Sequence, residues 1–159
     1  MVSENFAGYK HGFGINSFHL EWCTKYRKKV LEGNLLKQVL SDSIKKTASE
    51  YGMNIIAMEI GLDHIHIFVS LPASMAVSKA LNLLKGRSSR EIFVACPSFK
   101  KYLFYSGHFW SRGIFYRSVS NVSSDAIYNY IKNHKNKELQ NSVVHARNEA
   151  EQLSLLSFF

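Results

Sequence analysis

"LDHIHIFVSLP", residues 62–72, places two histidines one residue apart inside an apolar run. His64, His66 and Ser70 alternate with Ile65, Ile67 and Val69, which is the period of a β-strand. Side chains two apart on a strand project from the same face. The pattern therefore predicts His64 and His66 side by side, with the isoleucines turned the other way. Two imidazoles on one rigid face are half of a metal site, because neutral imidazole is a good ligand for divalent cations. Paired histidines on a strand are also common as surface or satisfied core residues, so this stretch alone leaves both readings open.

The flanking sequence predicts the partners of that strand. "MNIIAMEI" (53–60) reads as a strand, Gly61-Leu62-Asp63 as a tight connection, and 53–71 as a hairpin ended by Pro72. Upstream, "INSFHLEWCT" (15–24) alternates Phe18, Leu20 and Trp22 as a first strand. Residues 34–51 follow a helical period through Leu35, Val39, Leu40 and Ile44, stopping at Gly52. Downstream, Ser74 is the expected cap of a helix with the stripe Val77, Leu81 and Leu84. Gly86 is expected to break that helix, with a further turn through Ile92 to Pro97. "GIFYRSVS" (113–120) reads as a fourth strand. Ser123 or Ser124 then opens a helix to about residue 138, and 140–159 reads as a helical tail ending in "LSLLSFF". The order β-α-β-β-α-β predicts an α+β, ferredoxin-like fold: a four-stranded antiparallel sheet with helices on one face, in one domain over 1–159 with its core at about 15–138. Fold alone implies no function.

Composition narrows the class of partner. The 159 residues carry a formal net charge of +8, which points to a polyanion, nucleic acid above all. The basic residues cluster in "KYRKK" (25–29), "KGRSSR" (85–90) and "KNHKNK" (132–137), each near aromatics, and that mixture suits single strands. Each cluster also fits a solvated helix end. There is no apolar run of membrane-spanning length, and the start "MVSENFAGYKHG" lacks the charged and apolar regions of a secretory signal. Cys23 and Cys96 form no metal spacing and fit reduced thiols in a cytoplasmic protein, with a disulfide left open.

A second half of the site is visible in "IYNYIKNHKNK". Tyr130 and His134 are four apart, hence one turn apart on one helix face, and Tyr128 points elsewhere. Three imidazoles from His64, His66 and His134 would hold a divalent cation with open positions. A phenol has a pKa near ~10 and is a poor nucleophile unless a nearby positive charge favours the phenolate. Attack on phosphorus would store the phosphodiester energy in a phosphotyrosine bond, so rejoining needs no nucleotide cofactor. No GxxxxGK[ST] is present, in agreement. His11, His19, His108 and His145 show no comparable pairing and are read as structural.

These stretches together resemble the HUH-type single-tyrosine transposases of small insertion sequences, the TnpA-like family. "DHIHIFVSLP" resembles its His-hydrophobic-His motif, "FHLEWCTKYRKKVLEG" (18–33) its opening strand and Lys-Tyr-Arg turn, and "LLKGRSSREIF" (83–93) its helix with a Lys-Gly break. "FWSRGIFYRSVS" (109–120) resembles its late strand, and "YIKNH" (130–134) stands where the family has Tyr-Ile-x-Asn-Gln. The resemblance covers about residues 15–138, in order. It implies Tyr130 as the catalytic tyrosine, His64 and His66 as metal ligands, and His134 in place of the usual glutamine ligand. It implies Mg²⁺ or Mn²⁺, the His134 departure favouring Mn²⁺ or another transition metal. It further implies a homodimer with composite sites that cuts and rejoins single-stranded DNA beside subterminal hairpins, leaving a 5′-phosphotyrosine and a free 3′-hydroxyl. Lys25, Arg27, Lys85, Arg87, Arg90 and Arg112 are then candidate DNA contacts. Tyr26 and Trp110 are candidate stacking surfaces, each weighed against a place in the core.

Three other readings share some of these residues. A domesticated HUH nuclease acting on chromosomal repeats, or a replication-initiator relative, would look alike in sequence. A non-catalytic nucleic-acid-binding module on the same sheet would bind single strands without a covalent adduct. A structural zinc protein would unfold on chelation.

Overall fold

The computed structural model describes residues 7–9 and 12–119, all of which belong to one compact unit, Met1–Asn121. The expected helix from Ser123 or Ser124, the tail 140–159, and with them Tyr128, Tyr130 and His134, lie outside the described residues.

The chain opens with a short antiparallel pair, β1 (Ala7–Tyr9) and β2 (Gly12–Gly14). Then follow β3 (Ser17–Cys23), α1 (Asn34–Glu50), β4 (Asn54–Ile60), β5 (His64–Ser70), α2 (Val77–Ala95) and β6 (Phe115–Ser118). The last four strands form one antiparallel sheet in the order β4-β5-β3-β6. This is the expected ferredoxin-like arrangement, two βαβ units with interleaved strands.

The alternation in β3 and β5 sends one set of side chains into the core. Leu20, Trp22, Ile65, Ile67 and Val69 are buried there with Leu36, Leu40 and Ile44 of α1 and Ala80, Leu81, Leu84 and Ile92 of α2. In β4 the adjacent Ile55 and Ile56 break the alternation. A bulge between Ile55 and Ala57 absorbs the extra residue, so Met58 and Ile60 still pair with Ile67 and Ile65.

The ends of the helices have local causes. Gly52, at φ 66, ends α1 in a left-handed turn. Met53 N–H donates to Ala48 O at 2.8 Å and Gly52 N–H to Ser49 O at 3.3 Å, which closes a Schellman motif. Helix α2 starts later than expected: its cap position is Ala76, not Ser74, and no side chain caps it.

Gly86 does not break α2, contrary to the sequence reading. A single exposed glycine costs a helix only ~1 kcal/mol relative to alanine. The buried residues on either side, Leu81 and Leu84 before it and Ser88 and Ile92 after it, hold one continuous stripe against the core. A Cβ at position 86 would meet nothing within 4 Å. Gly86→Ala is therefore expected to stabilise the protein by about 0.5–1 kcal/mol in urea unfolding, with an unchanged m-value.

Candidate active site

The face of the sheet opposite the helices gathers the histidines and acidic side chains. Antiparallel register sets Cys23 beside His64, and Glu21 beside His66 with Glu59 on its other side. His19 pairs with Phe68 one step further along the same face. His64 and His66 meet as the spacing predicts: their ring centroids are 5.0 Å apart and their planes nearly perpendicular, at 88°.

Each imidazole is held by its Nδ1 side. The Asp63 carboxylate accepts from His64 Nδ1 at 2.7 Å. A carboxylate only accepts, so His64 Nδ1 carries the proton in this bond. His66 Nδ1 lies 3.1 Å from His19 Nε2 and 3.7 Å from Glu21 Oε2. His19, read as structural from sequence, is thus the residue that sequence reasoning missed. Only strand pairing brings it to His66; the signal in the sequence was its place in the alternation, on the open face with Glu21.

Gly61 makes room for this arrangement. It opens the β4–β5 turn, its N–H donating to His64 O at 2.9 Å. A Cβ there would stand 2.5–2.9 Å from the His64 ring, so any side chain would displace the imidazole.

Two imidazoles on one face, each with its Nδ1 side engaged, are of a type that could contribute to a divalent-cation site completed by further ligands. Among the described residues no group of three His, Cys, Asp or Glu comes together as a metal cage. The sheet supplies His64 and His66, and the expected third ligand, His134, is outside the described residues.

The Lys-Tyr-Arg turn borders the same corner. Tyr26 and Arg27 both have positive φ, 61° and 50°, in the left-handed region that non-glycine residues avoid. Tertiary bonds hold the strain in place. Thr24 N–H donates to Asp63 O at 2.7 Å, Lys25 N–H to Phe109 O at 2.7 Å, and Thr24 Oγ1 to Lys28 O at 2.8 Å. Arg27 Nε is 3.0 Å from Asp63 Oδ2, so a single carboxylate ties the turn to His64. The Tyr26 ring is 64% exposed, with Lys25 Nζ 5.1 Å from its centroid.

Beside this turn lies a groove of about 910 Å³, whose wall includes Lys25, Tyr26, Lys85, His108 and Arg112. A second, of about 430 Å³, adjoins it at Gly86 and Ser89 and adds Arg90 and Lys100. None of the described residues lining either groove is acidic.

Three of the candidate DNA contacts have partners within the fold. Trp110 is buried, its Nε1 donating to Ser88 Oγ at 3.0 Å and its ring set edge-on to Phe109 and Trp22. Its faces are not offered to a base. Arg87 forms a bidentate pair with Glu50 and lies over Tyr51, joining α2 to α1. That bond holds the Arg87 pKa up and the Glu50 pKa down. Lys85 is half-buried and donates to Ser111 O at 2.8 Å, and burial pushes its pKa down.

Comparison with known proteins agrees in fold and sequence. The family model described as "Transposase IS200 like" matches residues 15–134. The chain is 35% identical over 121 residues to the ISDra2 transposase TnpA of Deinococcus radiodurans, covering 76% of this chain and 85% of that protein. It is 27% identical over 115 residues to the transposase for insertion sequence element IS200 of Salmonella typhimurium, covering 72% and 74%. A solved Deinococcus radiodurans R1 structure, described as a transposase, superposes with a TM-score of 0.64 at 27% identity, over 79% of this chain and 95% of that one. The REP-associated tyrosine transposase bound to a REP hairpin is similar in fold alone, with a TM-score of 0.50 at 17% identity over 73% and 64%.

Two substitutions test the geometry. Gly61→Ala is expected to leave the protein folded but move the His64 ring off Asp63, seen as altered His64 imidazole NMR shifts and weaker Mn²⁺ binding. Tyr26→Gly removes a left-handed tyrosine whose conformation costs roughly 1–2 kcal/mol, partly offset by glycine's entropy. It is expected to match or exceed the parent in thermal midpoint while losing affinity for single-stranded DNA in a fluorescence-anisotropy titration.

Proposed function

The chain belongs to the IS200-like transposase family, and from that premise we propose that it cuts and rejoins single-stranded DNA through a tyrosine nucleophile, with a divalent cation held at His64 and His66. The observation that carries this reading is the pair of imidazoles, each with its Nδ1 side engaged, beside a strained basic turn.

The nucleophile in this reading is the Tyr130 phenol. As the phenol gives up its proton to solvent, its oxygen forms a bond to the scissile phosphorus, the bond from phosphorus to the 3′ oxygen breaks, and that oxygen takes up a proton from solvent and leaves as a 3′-hydroxyl. The 5′ end remains on Tyr130 as a phosphodiester. Attack by a 3′-hydroxyl on that bond reverses the steps and rejoins DNA, so no nucleotide is consumed. A cation bound by His64, His66 and His134 would act as a Lewis acid for phosphate oxygens. Mg²⁺ and Mn²⁺ are the candidate metals, and the imidazole-rich set favours Mn²⁺.

The remaining residues bind and orient the strand. Lys25, Arg90 and Arg112 line the grooves and are suited to phosphates. Arg27, 65% exposed at its side chain, can turn to phosphate while staying near Asp63. Tyr26 offers a base a stacking face. The same reading carries recognition of subterminal hairpins, a homodimer with composite sites and a cytoplasmic location. Among the described residues no helix is long and apolar enough to cross a membrane.

The test uses single-stranded oligonucleotides from the DNA flanking the gene, incubated with the full chain and Mg²⁺ or Mn²⁺. A covalent protein–DNA band on a denaturing gel is expected, mapping to Tyr130 by mass spectrometry and absent with chelator or in Tyr130→Phe. An adduct on Tyr128 would keep the reaction and replace the nucleophile. Tight binding without any adduct, with both metals and both flanks, would identify a non-catalytic binding module.

A further inference from the structure

The His19–His66 contact has a chemical direction. Two neutral imidazoles sharing one hydrogen bond have two arrangements. Either His66 Nδ1–H donates to His19 Nε2, or His19 Nε2–H donates to His66 Nδ1. The first leaves the His66 lone pair on Nε2. The second puts a proton on His66 Nε2, and that nitrogen then binds no metal.

We propose that His19 is a positioning residue that accepts the hydrogen bond from His66 Nδ1–H, and so locks His66 in the tautomer that presents Nε2 to the cation. This rests on the metal-site reading given above. Three observations carry it. Both rings are buried, with His19 2% and His66 4% exposed, and their nitrogens are 3.1 Å apart. Their planes lie within 16° of each other, and with centroids 5.3 Å apart against 3.1 Å between the nitrogens the rings meet end to end rather than face to face, so the bond runs near the lone-pair direction. Glu21 Oε2, 3.7 Å from the same His66 nitrogen, favours the proton on Nδ1 by its charge.

His19 is itself well placed to hold still. It stacks on Phe68 with planes 9° apart and centroids 4.6 Å apart, and the Phe115 ring meets it edge-on at 6.0 Å. Asp63 performs the same task for His64. The two histidines thus have different orienting partners, a carboxylate for one and an imidazole for the other. A metal-binding histidine usually donates its second N–H to a carboxylate, a carbonyl or water. An imidazole in that place is a weaker acceptor than a carboxylate, and it places the orienting group on β3 rather than beside the ligand in sequence.

Two variants separate this role from packing. His19→Phe keeps a ring against Phe68 and removes the acceptor. His19→Gln replaces the ring but places an amide oxygen where the acceptor nitrogen was. The first readout is the His66 tautomer in metal-free protein, from long-range ¹H–¹⁵N spectra of histidine-labelled chain. The second is Mn²⁺ affinity from electron paramagnetic resonance titration, with thermal melts reporting the fold. Wild type is expected to show protonated Nδ1 and bare Nε2 at His66. His19→Phe is expected to lose that bias and bind Mn²⁺ about 10–100-fold more weakly, as other orienting partners do, while His19→Gln stays near wild type. A wild-type His66 protonated on Nε2, or equal Mn²⁺ affinity in wild type and a folded His19→Phe, would overturn the assignment. If His19→Phe does not fold, the wild-type tautomer and the His19→Gln affinity decide. Failure of wild type to bind Mn²⁺ would instead overturn the metal reading, with the tautomer still deciding the role of His19.

Discussion

The pairing of β3 with β5 is the constraint on which the rest depends. Seven residues of each strand align, from Ser17 opposite Ser70 to Cys23 opposite His64. One face of this pair is Leu20, Trp22, Ile65, Ile67 and Val69, buried under both helices. The other is His19, Glu21, His64 and His66. A slip of one residue would send the imidazoles into the core and the aliphatic side chains out. Burying those aliphatic groups therefore sets the register, and the register sets which polar groups meet. The site inherits its geometry from the core.

Asp63 links that pair to the chain's only consecutive left-handed non-glycine residues among those described. Its backbone carbonyl receives Thr24 N–H, and its two carboxylate oxygens meet His64 and Arg27. One residue at a hairpin turn thus couples an imidazole on β5 to a strained basic turn after β3. Gly61, at the other end of the same turn, leaves space for the His64 ring. The corner thus combines a backbone bond from Thr24 with two side-chain contacts of one carboxylate.

Cations of one basic cluster have unlike surroundings in the fold. Arg87 and Lys85 belong to the same basic cluster as Arg90, yet Arg87 is bound to Glu50 and Lys85 to the carbonyl of Ser111. The helical period distributes neighbours around the axis, so adjacent cations have unlike surroundings. Trp110 went to the core for a related reason. Its segment pairs with Thr24, just past β3, in an antiparallel bridge, and its ring meets Trp22 and Ser88. Gly86, read as a helix break, is carried through by the buried side chains on either side of it.

Local periodicity was legible without coordinates. The strands over 15–24, 53–60 and 64–71, the helix over 34–51, the βαββαβ order and the meeting of His64 with His66 all follow from side-chain spacing along one element. Family membership followed from motifs in order. What only the tertiary structure decided was contact between elements: His19 with His66, Asp63 with Arg27, Arg87 with Glu50, the bulge in β4 and the burial of Trp110. The reason is physical. A period of 2 or 3.6 residues fixes which side chains share a face, and it is the packing of distant segments on one core that decides which of those faces touch.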